Sequence, residues 1–183
     1  NVGLGYQAMY YNTTASNNVA VGKNALLVNT TGANNVAIGS LTLDAATTAT
    51  GNTAVGQGAM SATTTGGSNV AMGLSSLYTN TTGANNTALG YSSMFANTTG
   101  ASNTAVGKSA LAANTTASNN TAVGFEALED NTTGAGLTGL GRMALNANTT
   151  ASNNTAVGYK AMILNTTGAS NVAVGTNALD ANT

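Results

Sequence analysis

A glycine recurs every 17 residues along this chain, from Gly5 to Gly175, without an insertion or a deletion. A fixed short period is the sequence signature of stacked structural units that contact mainly their neighbours. We number the repeat from Asn1, so that this glycine stands at position 5, and name the successive repeats coil 1 to coil 11. The period predicts an all-β fold, one continuous β-solenoid or β-roll of about eleven coils over residues 1–183.

Two repeat positions hold large apolar residues in every copy. Position 4 is aliphatic or methionine, as in Val106 and Val123, and position 9 is leucine or methionine, as in Leu111. These two columns are predicted to form the core. Position 2 is always valine or threonine, so positions 2 and 4 are expected to share the inward face of a short strand. Strands stacked coil on coil would form a parallel ladder rising about 4.8 Å per coil.

The glycine at position 5 either adopts a positive φ or lies where neighbouring backbone leaves no room for a Cβ. Positions 6, 7, 10 and 11, which we name the variable face, hold all four basic, all five acidic and all eight aromatic residues. Such free variation predicts that this face points outward. Two conformations remain open for positions 6–11: a short helical turn, or a tight bend that tucks positions 8 and 9 inward. The bend is preferred because helices pack about 8–10 Å apart and strands only about 4.8 Å.

Asparagine fills positions 1 and 12 in most coils, and stacked asparagines can form amide ladders. Coils 3 and 4 replace the asparagine of position 12 with Ala46 and Thr63, and coil 9 replaces that of position 1 with Leu137. The spacing is unchanged in all three coils. We therefore expect local changes in the ladders without a break between domains.

Composition excludes several classes of function. Nine charged residues in 183 provide no basic patch for nucleic acid, and the short apolar runs predict no membrane insertion. The chain has no histidine and no cysteine, so we expect no enzyme activity, no metal site and no cofactor. Glu129 and Asp130 form the one adjacent acidic pair, which is expected to be a solvated part of the variable face.

The segment Asn35–Gly39 (NVAIG) and the similar Asn171–Gly175 (NVAVG) resemble the repeats in the heads of trimeric autotransporter adhesins. The longer pattern NTAVGxxALxxNTTG is similar to repeats of bacterial surface proteins and phage tail-fibre-like proteins. This resemblance covers the whole chain and implies a left-handed β-roll that associates as a parallel homotrimer. It also implies a role in adhesion or as a fibre shaft. The adhesin heads use shorter coils than the 17 residues found here.

Two sets of residues are candidates for a functional site. Eight asparagines begin an Asn-Thr-Thr sequon and are candidates for N-glycosylation. The rings of the variable face are the best candidates for contact with a partner. The sequon asparagines are Asn12, Asn29, Asn80, Asn97, Asn114, Asn131, Asn148 and Asn165. The candidate contact residues are Tyr6, Tyr10, Tyr78, Tyr91, Phe95, Phe125 and Tyr159.

From these observations we expect a structural or adhesive fibre segment that is extracellular, at a cell surface or at a virion surface. The expected partners are further copies of the chain, in a fibre or homotrimer, and a surface or glycan ligand. Because Asn1 already lies within a repeat, a longer array is expected. Two alternatives stay open. One is a glycan-coated surface filament, and the other is an ice-binding solenoid, although adjacent threonines at positions 13 and 14 would point to opposite sides of a strand.

Overall fold

The computed structural model describes residues 1–181, which form an all-β solenoid without a helix. Positions 2 to 4 of every coil form a short strand, because β-branched residues at positions 2 and 4 suit a pleated surface. The strands are β1 (Val2–Leu4), β2 (Val19–Val21), β3 (Val36–Ile38), β4 (Thr53–Val55), β5 (Val70–Met72), β6 (Thr87–Leu89), β7 (Thr104–Val106), β8 (Thr121–Val123), β9 (Thr138–Leu140), β10 (Thr155–Val157) and β11 (Val172–Val174).

The eleven strands form one parallel sheet in the order of the sequence, from β1 to β11. Each residue pairs with the residue 17 positions further on, as Thr104 does with Thr121 and Val106 with Val123. The chain therefore winds once per repeat, as the sequence predicts. The sheet continues without interruption through coils 3, 4 and 9, so the substitutions at Ala46, Thr63 and Leu137 do not break it.

The core is a narrow column of small and medium-sized side chains. Position 9 is its largest component, and Leu26, Leu111 and Met162 are fully buried there, which confirms that part of the predicted core. Position 8 is also buried, as at Ala110 and Ala127. Where position 8 is polar, its hydroxyl is satisfied within the coils, since Ser93 Oγ donates to Gly90 O at 3.1 Å.

The prediction that position 4 belongs to the core is wrong. The buried strand residue is the small one at position 3, as at Ala105 and Ala122, while positions 2 and 4 point outward. The reason is the width of the coil. A Cβ built on Gly139, at position 3, would lie 3.2 Å from Leu128 Cγ, so the methyl group of an alanine already meets the side chain of position 9. A valine or leucine has no space on that side of the strand.

Positions 5 to 11 form a succession of turns, which confirms the tight bend and excludes the short helix. In every coil φ is positive at positions 5, 7 and 9, as at Gly107 (135°), Ser109 (55°) and Leu111 (55°), and negative at positions 6 and 8 between them. The N–H of Ala110 donates to Gly107 O at 3.3 Å and that of Asn114 donates to Leu111 O at 3.3 Å. These two local bonds fold the chain so that positions 8 and 9 lie inside.

Backbone hydrogen bonds between coils extend well beyond the strands. Leu111 N donates to Ala127 O at 2.9 Å and Ala113 N donates to Glu129 O at 2.9 Å, both in the next coil. Ser109 N donates in the opposite direction, to Tyr91 O of the preceding coil, at 3.0 Å. The turns are thus stacked in the same register as the strands, and each coil is bonded to its neighbours along most of its path.

Both explanations for the glycine of position 5 hold at once. Gly90 has φ of +133°, where L-residues are strained, and a Cβ built on it would lie 2.6 Å from Gly107 O in the next coil. Neither the backbone conformation nor the neighbouring coil leaves room for a side chain. The strict 17-residue recurrence of glycine follows from these two constraints.

We predict that Gly90→Ala lowers the free energy of unfolding by about 3 kcal/mol or more, because it adds strain at φ and a clash with backbone that cannot move. The measurement is the shift in urea midpoint of the variant relative to the parent chain. Gly51→Ala is the matched control. Gly51 also has a positive φ, 74°, but a Cβ there has its nearest neighbour, Ser68 Oγ, at 3.8 Å. Equal losses in the two variants would show that the close approach of the coils does not matter.

Candidate functional site

The aromatic side chains of the variable face all lie at the surface, as predicted. Exposed rings, Tyr6 among them, occur in the lower, middle and upper coils, and the structure brings some of them into contact with one another. Tyr10 and Tyr11 meet edge to face with their ring centroids 4.9 Å apart. Tyr78 and Phe95 stack one coil apart, with a centroid distance of 5.3 Å and an interplanar angle of 3°. Their role in contact with a partner stays a prediction.

Cations and rings alternate along position 6 of coils 7 to 10. Lys108 Nζ lies 5.3 Å from the centroid of Phe125, and the guanidinium carbon of Arg142 lies 5.5 Å from the same ring. Arg142 also lies 5.6 Å from the centroid of Tyr159. Its guanidinium group is therefore sandwiched between two rings that belong to the coils below and above. Such cation–π contacts contribute roughly 0.5–2 kcal/mol each.

Three of the five carboxylates are gathered in coil 8, at Glu126, Glu129 and Asp130. Glu129 is held by Asn146, whose Nδ2 donates to Glu129 Oε2 at 3.3 Å. Burial raises the pKa of Glu129, and the nearby charges of Glu126 and Asp130 raise it further, against the opposing effect of the Asn146 hydrogen bond. In residues 1–181 no group of three or more His, Cys, Asp or Glu side chains is placed to hold a metal ion.

An open groove lies on the variable face between the ring cluster of coils 5 and 6 and the carboxylates of coil 8. Its cavity volume is about 550 Å³. Tyr91 and Phe95 form one side and Glu129 and Asp130 the other, with small side chains of coil 7 between them. The sequence places the two rings and the two acids on the variable face, but it gives no sign that they meet, because they come from coils that are not adjacent.

The sequon asparagines lie inside the coils. Except for Asn12, which is half-buried in coil 1, they are fully buried. From coil 5 to coil 10 these asparagines form an unbroken ladder, in which each amide nitrogen after the first donates to the amide oxygen of the asparagine one coil before it. Thus Asn97 Nδ2 donates to Asn80 Oδ1 at 2.9 Å and Asn114 Nδ2 donates to Asn97 Oδ1 at 2.8 Å. The amide nitrogen that would carry an N-glycan is thus occupied within the folded chain.

A second amide ladder runs along position 1. Asn103 Nδ2 donates to Ala117 O at 2.8 Å, and Asn103 Oδ1 accepts the backbone N–H of Asn120 at 2.9 Å. Leu137 still donates its backbone N–H to Asn120 Oδ1, at 2.9 Å. It interrupts the ladder because its side chain has no oxygen to accept a hydrogen bond from the coil above. The expected amide ladders are therefore present, with local changes where the sequence deviates.

The two threonine columns differ in what their hydroxyl groups do. The threonine of position 13 is tied to the next coil, as where Thr98 Oγ1 donates to Thr115 O at 3.0 Å. The threonine of position 14, for example Thr99 and Thr116, is exposed in all ten coils in which it is described. Position 14 is therefore the column that presents its side chains to solvent.

The outward face of the sheet, formed by positions 2 and 4, is the surface that sequence reasoning missed. It carries no charged residue in any coil. Side chains at position 4 are partly exposed on this face. Ile38, Met72 and Val123, for example, are 40%, 45% and 38% exposed. From Thr87 to Thr155, position 2 is threonine in five successive coils. The invariant alanine or glycine at position 3 was the available signal, because a residue that must be small marks the crowded side of a strand.

The described part of the chain has no helix long and apolar enough to cross a membrane. Comparison of the chain with protein-family models, with curated proteins and with solved structures found no match. The resemblance to adhesin and tail-fibre repeats therefore stays a prediction.

The interrupted ladder of position 12 gives a direct test of how much these amides stabilise the fold. Asn29 Oδ1 is buried without a hydrogen-bond partner, because the coil above it has Ala46 in place of asparagine. We predict that Ala46→Asn raises the free energy of unfolding by about 1 kcal/mol, since its amide supplies the missing donor. Urea unfolding of the variant measures the gain. Ala45→Asn, one residue away on the variable face, is the control, and an equal gain there would refute the explanation.

Proposed function

We propose that this chain is a segment of a structural fibre, extracellular or at a cell or virion surface, and that it has no catalytic activity. One observation carries the proposal: the same residue positions are stacked in one uninterrupted register from coil 1 to coil 11. At a rise of about 4.8 Å per coil, the eleven coils form a rod on the order of 50 Å long. A chain with this architecture serves as a spacer, and a longer array of the same repeat makes a longer rod.

The stiffness of the rod has a physical source in the ladders. Every coil is tied to the next by strand pairing and by backbone bonds of the turns, and most coils also by the side chains of positions 1, 12 and 13. At coil 7 this includes the bonds from Asn114 to Asn97 and from Thr115 to Thr132, at 2.8 and 3.2 Å. Bending the rod would stretch several of these columns together. A fibre function needs this resistance and needs no reactive group.

The outward sheet face supports association of copies side by side. It is free of charge, and position 4 is aliphatic or methionine for the length of the rod. Monomeric proteins rarely expose an apolar patch of more than a few hundred Å². Two such faces also share one repeat distance, so a contact made at one coil is repeated at the next. We propose that this face is buried between copies of the chain in a parallel homotrimer.

The double variant Val106→Lys and Val123→Lys is predicted to weaken this association at least tenfold, because two ammonium groups would lose their hydration at the interface. Sedimentation velocity of the parent chain and the variant measures the change, and electron microscopy of the parent shows its symmetry. The control carries Gln57→Lys and Ser109→Lys on the variable face, at positions that hold lysine in other coils. A parent chain that sediments as a monomer at all concentrations would refute the trimer.

Ice binding is a second candidate, and one observation favours it. Thr87, Thr104 and Thr121, and the two threonines that continue the column, stand at the same strand position in successive coils, about 4.8 Å apart. Aliphatic side chains stand beside them at position 4. A regular array of hydroxyl and methyl groups can order water in a lattice, which a variable surface cannot do. This candidate uses the same face as the homotrimer, so only one of them can hold for the assembled chain.

An ice-binding face predicts thermal hysteresis and faceted ice crystals in solutions of the parent chain. Thr104→Lys should abolish both effects, because a long charged side chain in the middle of the column interrupts the lattice. Gln57→Lys should change neither, since it lies on the variable face. The absence of hysteresis in the parent chain would remove this candidate and leave the fibre proposal intact.

A further inference from the structure

Position 10 carries a stack of side chains that is interrupted in coil 7. Going up the rod from coil 5, it holds Tyr78, Phe95, Ala112 and Glu129. The rings of Tyr78 and Phe95 are nearly parallel, with an interplanar angle of 3° and centroids 5.3 Å apart. One face of Phe95 is therefore covered by Tyr78. The other face points toward coil 7, where the methyl group of Ala112 is too short to cover it.

The result is a slot in the groove. Ala112 and Ala113 form its floor, Phe95 forms the lower wall, and Glu129 and Asp130 stand at the upper side. Phe95 and Glu129 occupy the same position two coils apart, which corresponds to about 10 Å along the rod. That distance accommodates one planar group, stacked on the ring on one side and within reach of the carboxylate on the other.

The same chain shows which kind of group fits between such layers. Position 6 of coils 8 to 10 holds Phe125, Arg142 and Tyr159. The guanidinium carbon of Arg142 lies between the two rings, 5.5 Å from the centroid of Phe125 and 5.6 Å from that of Tyr159. In residues 1–181 no cation lies over Phe95 or Tyr91 in this way. The exposed rings of Phe95 and Tyr91, which both line the groove, thus present π-faces of the kind that bind a cation elsewhere on the same surface.

The charge around the slot agrees with a cationic occupant. Glu129 and Asp130 line it, and Glu126 lies close enough to Glu129 to disfavour its charged form. Lys108, whose Nζ lies 5.3 Å from the ring of Phe125, is also near enough to Glu129 to favour its charged form, and so opposes the effect of Glu126. Glu129 uses Oε2 to accept the hydrogen bond from Asn146.

We propose that the slot between Phe95 and Glu129 binds an organic cation, specifically a guanidinium group such as that of an arginine side chain on a partner. The guanidinium stacks on the open face of Phe95 and donates to Glu129, with Asp130 adding charge at the rim. This site gives the otherwise repetitive rod one place of specific recognition, and it does not depend on the fibre proposal.

The first experiment is an NMR titration of the full chain with methylguanidinium, in which the amide signals of Ala112 and Ala113 are followed. Methylurea is the matched neutral probe, because it has a similar planar shape and no charge. We expect saturable shifts of these two amides with methylguanidinium and an association constant at least tenfold lower for methylurea. Equal responses to the two probes, or no response to either, would overturn the proposal.

Variants separate the two walls of the slot. Glu129→Gln and Phe95→Leu are each expected to lower the association constant for methylguanidinium by about three- to tenfold, since each removes one of the two contacts. Asp180→Asn is the control, because it removes a carboxylate from the same position 10 in coil 11, away from the groove. A loss in the control equal to that in Glu129→Gln would show that only the overall charge matters and would refute a specific site.

A filled slot provides a test that does not rely on weak binding. Ala112→Arg places a guanidinium group between Phe95 and Glu129 from within the chain, on a position that already accepts large side chains in other coils. We expect this variant to stop responding to methylguanidinium and to unfold at a higher temperature than Ala112→Leu, which fills the slot without charge. An Ala112→Arg variant that is less stable than Ala112→Leu, or that still binds the probe, would contradict the proposal.

Discussion

The structure depends on hydrogen bonding between each coil and the next, held in register by a close approach of their backbones at position 5. At Gly90 and Gly107 the chains come so near that no Cβ fits between them. Glycine permits this approach, so that the strand pairs and turn bonds on either side can form between successive coils. The close spacing also stabilises polar side chains in the interior, because neighbouring coils supply hydrogen-bond partners for them. Unpaired buried asparagines would destabilise a core, but here most of the stacked amides find partners one coil away, and Asn29 Oδ1 lacks one where Ala46 interrupts the ladder.

The same ladder explains how strained backbone is tolerated. Leucine or methionine at position 9 adopts a positive φ in every coil, as at Leu111 and Met162, where a bulky residue is rarely found. The cost is offset because this conformation points the side chain into the core and aligns its N–H with the coil above. No coil could keep this arrangement alone.

Two surfaces of different character result from this design. The outward sheet face is nearly the same in every coil, so whatever it contacts must itself be regular, such as another copy of the chain or an ordered layer of water. The variable face changes from coil to coil and carries all the charges and rings. Its groove lies between Phe95 of coil 6 and Glu129 of coil 8. Regular assembly and local recognition can therefore be located on different sides of one rod.

The sequence by itself determined the period, the place of the glycine, the buried column at position 9, the outward variable face and the amide ladders. Each of these leaves a signal within a single repeat, because a forbidden side chain or a required amide shows in every copy. Only the tertiary structure decided which side of the strand faces inward. Alternation showed that Val106 shares a face with Thr104, but either face could have been the core. The narrow coil settled it, since Leu128 and its equivalents leave room only for the methyl group of an alanine. The groove is likewise a tertiary feature, because winding brings Phe95 and Glu129, 34 residues apart in the sequence, onto one column.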